Sequence, residues 1–292
     1  MTTFGGAKRT SQIGRWSAEK LDLLRCYLGG SRGRGGFLPA TTSAHQRYYI
    51  DLFSGPGQNK IRDTGEIVDG SPLVALKAGP PHFTHLWWVD ADEKNASSLE
   101  EHRRELGDER ITVLLGNGND RVLDILHVLP KQFPSFAFLD PYGVELDWQT
   151  IIRLASHKPT NKVELFILFA YNHGIARLLP YDDSRMMHAD ILDRLMPDPV
   201  AWRRLYEMRV SGQIARRDFR RAFLEEYVRG LRALGYKYVP PPRLCSTPDN
   251  RPLYFMVFAS DHPAGERIMD WCLQHVRQSQ IQASLLPYDQ RY

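Results

Sequence analysis

Two periodicities alternate along this chain. Residues 48–53, 85–89, 111–115, 136–139 and 164–169 are short, continuously apolar runs, whereas 71–78, 93–106, 120–128 and 148–155 carry apolar residues at helical spacing. Strands that are apolar on both sides belong to a parallel sheet, because each crossover lays a helix over one of its faces. The pattern therefore predicts an α/β, doubly wound, mostly parallel sheet. Two further strand-like segments, 236–239 and 253–259, are joined by a turn rich in proline, with Pro240, Pro241, Pro242 and Pro252. A connection that short makes the last strand antiparallel, so a seven-stranded sheet closed by a C-terminal hairpin is expected.

The same reading divides the chain into four parts. Residues 1–47 form a helical extension, with a helix expected at 17–28 on the spacing of Trp16, Leu21, Leu24 and Leu28, followed by a Gly/Arg linker at 29–36. Residues 48–179 form the core, and 236–292 its closing hairpin and C-terminal helix. Between them, 180–235 is a helical insert carrying Arg203, Arg204, Arg209, Arg216, Arg217, Arg220, Arg221, Arg229 and Arg232.

Composition changes this picture little. With 42% hydrophobic and 25% charged residues among 292, the chain reads as an ordinary globular protein, and it has no apolar run of membrane-spanning length. The first residues, including Lys8, Arg9 and Arg15, are polar and basic, so no signal peptide is expected and the cytoplasm is the expected location. The three cysteines, Cys26, Cys245 and Cys272, are too few for a disulfide framework and too widely spaced for zinc, so no metal site is expected. A net charge of +4, concentrated in the insert, points weakly to a polyanionic partner.

Chemistry enters at the strand ends. In such sheets ligands bind beyond the carboxyl ends of the strands. The first strand runs into Asp51-Leu52-Phe53-Ser54-Gly55-Pro56-Gly57, a turn whose glycines let backbone approach a ligand and whose acid suits an ammonium group. A dinucleotide site would need a third glycine where Lys60 stands, and Asp51 would repel a pyrophosphate. S-adenosylmethionine (SAM) fits this turn better. Asp90 ends the second strand where a ribose would present its hydroxyls, with Asp92 as the alternative unless it serves only to start a helix. Asn117, after the third strand, is the adenine contact, with Asn119 or Asp120 as alternatives. Phe53, Gly55 and Gly57 complete the cofactor set.

Beyond the fourth strand comes Asp140-Pro141-Tyr142-Gly143. Amino-group methyltransferases place similar turns here, for a physical reason. An aromatic or amide amine delocalises its lone pair, and N–H bonds to the Asp140 carboxylate and the Pro141 carbonyl would help to localise it, while Tyr142 stacks on the base. Asp140, Pro141 and Tyr142 are thus the candidate catalytic residues, in a Rossmann-like sheet of the class I methyltransferase type. Lys60 and Arg62, in a long connection read as a lid or substrate lip, and Asn172, after the fifth strand, are candidate substrate contacts.

Trp16 with Glu19-Lys20-Leu21, the run from Tyr49 to Gly57, Gly70-Ser71-Pro72-Leu73, Phe138 to Gly143 and the run from Phe258 to Pro263 together resemble the three-Cys-motif partner protein (TcmP) family. The resemblance implies a bacterial, class I methyltransferase-like protein working with a separate three-Cys-motif (radical SAM-like) protein. It also implies cofactor roles for Asp51, Gly55 and Gly57 and catalytic roles for Asp140, Pro141 and Tyr142. Three functions are in play: an N-methyltransferase acting on an exocyclic amino group of nucleic acid, DNA or RNA, gripped by the Arg-rich insert; a non-catalytic SAM- or nucleic-acid-binding adaptor of the partner; and a protein-amide or small-molecule methyltransferase.

Overall fold

The computed structural model describes residues 9–14, 17–29, 35–180, 188–247 and 251–285. Trp16, the linker at 30–34 and the start of the insert at 181–187 lie outside the described residues. Seven strands form the central sheet: β1 (Tyr48–Asp51), β2 (His85–Asp90), β3 (Ile111–Leu115), β4 (Ser135–Leu139), β5 (Glu164–Phe169), β6 (Arg243–Ser246) and β7 (Pro252–Ala259). Their hydrogen-bonded order is β3-β2-β1-β4-β5-β7-β6. The pairs among β1 to β5 are parallel, and β7 runs antiparallel to both β5 and β6. This is the doubly wound order, reversing direction between β1 and β4, with the hairpin closure of methyltransferases.

Why the strands read as continuous apolar runs is visible residue by residue. Alternate side chains enter two separate cores. Ile50, Val89, Ala137, Leu139, Ile167 and Val257 face one, and Tyr49, Trp88, Phe136, Phe138, Leu168 and Phe258 face the other. The first core is covered by α5 (Gly118–Val128), α6 (Trp148–Ser156) and, through Phe219, Phe223 and Tyr227, α10 (Arg216–Ala233). The second is covered by α1 (Ala18–Gly29), α2 (Phe37–Ala40), α3 (Ser71–Lys77), α4 (Glu93–Leu106) and α11 (Pro263–Leu285). Burying each such large side chain contributes about 1.5–3 kcal/mol, so the layered aromatic core is the main support of the sheet.

The structure corrects several expectations. Residues 236–239 are not a strand, since only Tyr238 makes an isolated bridge to Ser260. Pro240, Pro241 and Pro242 offer no amide donors, and the first arm of the hairpin begins after them, at Arg243. The extension holds more than one helix: Ser11–Ile13 is a strand parallel to Gln58–Ile61, which also pairs with Ile67–Asp69. The long connection after Gly57 therefore supplies two strands of a small three-stranded sheet. After β5 the short α7 (Ala176–Leu178) leads into the insert, which contributes to the core. Besides α8 (Ala189–Leu195) and α9 (Pro199–Val210) it supplies α10, which lies over the sheet where a crossover helix belongs. Among the described residues no helix is long and apolar enough to cross a membrane, and no group of three or more His, Cys, Asp or Glu side chains could hold a metal ion.

Candidate active site

β1 and β4 are neighbours, with Asp51 opposite Phe138, so Asp140 lies two residues beyond the carboxylate-bearing end of β1. A cavity of about 650 Å³ opens at this edge of the sheet, lined by Leu52, Phe53, Ser54, Gly55, Asp90, Asn117, Asp140, Pro141 and Tyr142. Most of the predicted cofactor and catalytic residues thus share one crevice.

Asp51 lies beneath its floor, wholly buried, and does not line it. Its Oδ2 accepts from the Tyr49 hydroxyl at 3.0 Å, and its Oδ1 from the Phe53 amide at 3.4 Å. Burial pushes its carboxyl up to about 7, opposed by hydrogen bonds from Ser71 and Tyr49 and reinforced by the negative charge of Asp140. Phe53, Ser54 and Gly55 carry the contact surface above. Gly55 has φ of +63°, and the position a Cβ would take there is open space, so the bare backbone faces the cavity.

Asp90 holds this turn in place. Its Oδ2 accepts from the Gly55 amide at 2.8 Å, and its Oδ1 from the Asp92 amide at 2.9 Å and Asn95 Nδ2 at 3.1 Å. A carboxylate offers about four acceptor positions, so capacity for a further donor remains. Asp92 caps α4, accepting from the amides of Lys94 and Asn95, and pairs with Arg9 at 2.8 Å. Asn117 lines the cavity while its side chain caps α5 through the Asn119 amide at 2.9 Å. Asn119 turns away, its amide pinning the chain at Glu145, Asp147 and Thr150.

On the acceptor side, Pro141 is buried and its carbonyl accepts from the Gly143 amide at 2.8 Å, which leaves one lone pair. Tyr142 is 95% exposed at the rim, an uncommon position for so large a ring. Its amide donates to Glu145 Oε2 at 3.2 Å, and burial raises the Glu145 carboxyl.

Besides Asp51, four of the predicted site residues do not line this crevice. Gly57 has φ of +90°, and a Cβ there would lie 2.8 Å from His102 Cδ2; its carbonyl accepts from the Gly70 amide at 2.8 Å, so it anchors the small sheet. Lys60 lies on that small sheet and Arg62 in the turn after its strand, both exposed; among the sheet's residues the cavity is reached by Asn59, Ser11 and Ile13. Asn172 belongs to a separate hollow beside α10.

Sequence reasoning assigned no role to Lys20. Its Nζ forms an ion pair with Asp140 Oδ2 inside the cavity, both side chains mostly shielded from solvent. The adjacent Glu19 pairs with Arg243 on β6, tying the start of α1 across the molecule. Both residues stand in the Glu19-Lys20-Leu21 motif, which was the only signal that could have found them.

No protein-family model matches the chain, and no curated protein matches it. Among solved structures, it is similar to a putative methyltransferase, yhhF, from Escherichia coli (17% identity, TM-score 0.33, covering 47% of this chain and 64% of that one). It is also similar to M. jannaschii TYW2 in complex with AdoMet (8% identity, TM-score 0.43, 85% and 76% covered). A third is an rRNA methylase from Streptococcus thermophilus (13% identity, TM-score 0.40, 85% and 97% covered). The first match spans less than two thirds of its relative. All three scores fall below 0.5, so the strand order and the cavity carry the assignment of a Rossmann-like, methyltransferase-type fold.

Proposed function

We propose that this protein is a SAM-dependent methyltransferase that modifies an exocyclic amino group in nucleic acid. One observation carries the reading: at the ligand-binding edge of a methyltransferase-order sheet, Asp140 lines a cavity beneath whose floor Asp51, from the neighbouring strand, is buried. The residues present suit the cofactor. The open backbone at Gly55 leaves room for it, Asp90 has acceptor capacity for ribose hydroxyls, and the buried negative charge at Asp51 favours the cationic methionine end without touching it. When bound, SAM supplies an electrophilic methyl group.

The chain's own residues would do the rest. The Asp140 carboxylate and the free lone pair of the Pro141 carbonyl accept the acceptor's N–H groups, which turns its nitrogen lone pair towards the donor side of the cavity. Tyr142 offers a flat surface for the base. Once released from Lys20, Asp140 would also accept the proton that the methylated amine gives up.

By its resemblance to the TcmP family, the protein would work with a three-Cys-motif partner. The Lys20–Asp140 ion pair favours a second reading, an adaptor, because the carboxylate meant for the acceptor is already engaged by the chain itself. Incubation with methyl-labelled SAM and bulk DNA, RNA or protein, with and without the partner, separates the two. Label in nucleic acid supports the enzyme; no label in any arm, with S-adenosylhomocysteine (SAH) still bound, supports the adaptor.

A further inference from the structure

A second hollow, of about 500 Å³, lies between the single π-helical turn Tyr171–Ile175 and the start of α10. Its wall carries Tyr171, Asn172 and four arginines, Arg209, Arg216, Arg217 and Arg220, and among the described residues no acid lines it. Guanidinium groups gathered around one concavity repel each other, and Arg217 also occupies the first turn of an 18-residue helix, where the backbone dipole already presents positive charge. Both effects are relieved by an anion.

The neighbouring arginines are treated differently. Arg221 and Arg229, on the same helix, pair with Glu225 and Glu226. Arg209 is held by the Leu179 carbonyl at 3.1 Å, with its guanidinium 5.1 Å from the Phe219 ring centre. Arg217 and Arg220 make no ion pair among the described residues, and they are shared with an adjoining hollow of about 520 Å³ further along α10, whose wall adds Arg221 and Arg232 but also Asp218 and Glu225. The two together form a net-basic track rather than a single pit. In its wall, Asn172 Oδ1 is buried without a hydrogen-bond partner, an acceptor that a phosphate cannot satisfy but a sugar hydroxyl or base amine can.

The track adjoins the acceptor turn. Gly174, in the same π-helical turn as Asn172, packs so closely that a Cβ on it would lie 2.9 Å from Val144 Cγ1 and 3.3 Å from Gly143 C. We propose that this hollow is the backbone-binding subsite for a single-stranded nucleic acid, with Arg217 and Arg220 on its phosphates and Asn172 on a sugar or base donor, delivering one unstacked base to Tyr142. A groove of arginines beside an exposed aromatic ring is the arrangement that suits a single strand, because stacking needs a base free of its duplex. The proposal rests on the nucleic-acid reading above and names where that substrate is held.

The test is fluorescence anisotropy with the full chain and a short fluorescein-labelled single strand of mixed sequence, in RNA and DNA forms, across a salt series. R217A/R220A is expected to weaken binding on the order of tenfold at low salt and to flatten the log–log salt slope by about 1.4, about 0.7 for each phosphate deprived of its arginine. Arg229→Ala should leave both unchanged, and Asn172→Ala should weaken binding without altering the slope. Inorganic phosphate should compete only weakly. Unchanged affinity and slope in the double variant would overturn the proposal, as would equal competition by polyglutamate, which would point to an acidic protein instead. SAH calorimetry on the same samples reports on the first cavity alone, so failure there is distinguishable from failure here.

Discussion

Asp51 and Asp140 follow neighbouring strands of one sheet at the edge where the crevice opens, yet their surroundings are opposite. Asp51 is sealed under the floor, with Tyr49, Ser71 and the Phe53 amide for company and, among the described residues, no cation acting on it. Asp140 stands in the cavity wall, next to an almost fully exposed tyrosine, and holds a lysine from a helix 120 residues earlier. A buried carboxylate without a cation acts through its field on whatever binds above it. A carboxylate in the wall acts by contact, and its lysine partner must be exchanged for the acceptor. In the proposed function the first would serve as a fixed cofactor floor and the second as an acceptor position under local control.

The sharpest way to break this contrast is Asp140→Ala. Loss of a hydrogen-bonding group at the reacting centre should lower methyl transfer by about 10²–10³-fold while SAH affinity, read by calorimetry, stays within about twofold. If both fell together, the two acids would not have separate tasks.

The pH dependence separates them further. The Asp51 carboxyl, raised to about 7 by burial, is charged above that pH and protonated below it. Since the charged form favours a cationic ligand end, SAH affinity should fall as pH drops below 7, towards about tenfold per unit, and Asp51→Asn should remove the slope. For folding the sign is reversed: an acid raised in the native state costs stability as pH climbs from its ordinary range through 7, and Asp51→Asn should lessen that loss.

Smaller effects belong to the rim. Tyr142→Ala should raise the acceptor KM by an amount corresponding to about 1–3 kcal/mol of base stacking, with SAH binding unaffected. Lys20→Gln should lower the acceptor KM severalfold by freeing Asp140, and in doing so reduce any dependence of activity on a partner; a rise in KM would show that Lys20 helps to hold the acceptor. Smallest of all, Asp92→Ala should lower the melting temperature slightly through loss of the α4 cap and leave SAH affinity alone, because its carboxylate serves the helix and Arg9.

Much of this was legible in the residues. The sheet could be read because Ile50 and Tyr49, or Phe138 and Leu139, are apolar on both faces, a pattern only a doubly covered strand tolerates. The two acidic turns could be read because each ends such a strand. What escaped was non-local. Ser11–Ile13 is three residues long and becomes a strand only by pairing with Asn59, Lys60 and Ile61. The Lys20–Asp140 ion pair joins residues 120 apart, which no local pattern encodes. Gly57 resembled its neighbour Gly55, but His102 packs against one while the other faces open space. Residues 236–239 had the apolar pattern of a strand, and the prolines after them moved the pairing to Arg243–Ser246.

The most direct measurement is a crystal structure of the chain with SAH. The account predicts the ligand over the Gly55 backbone, its ribose hydroxyls at Asp90 and its sulfur turned towards Asp140. SAH bound away from the Asp51–Asp140 crevice, or no binding at any pH above 7, would contradict it.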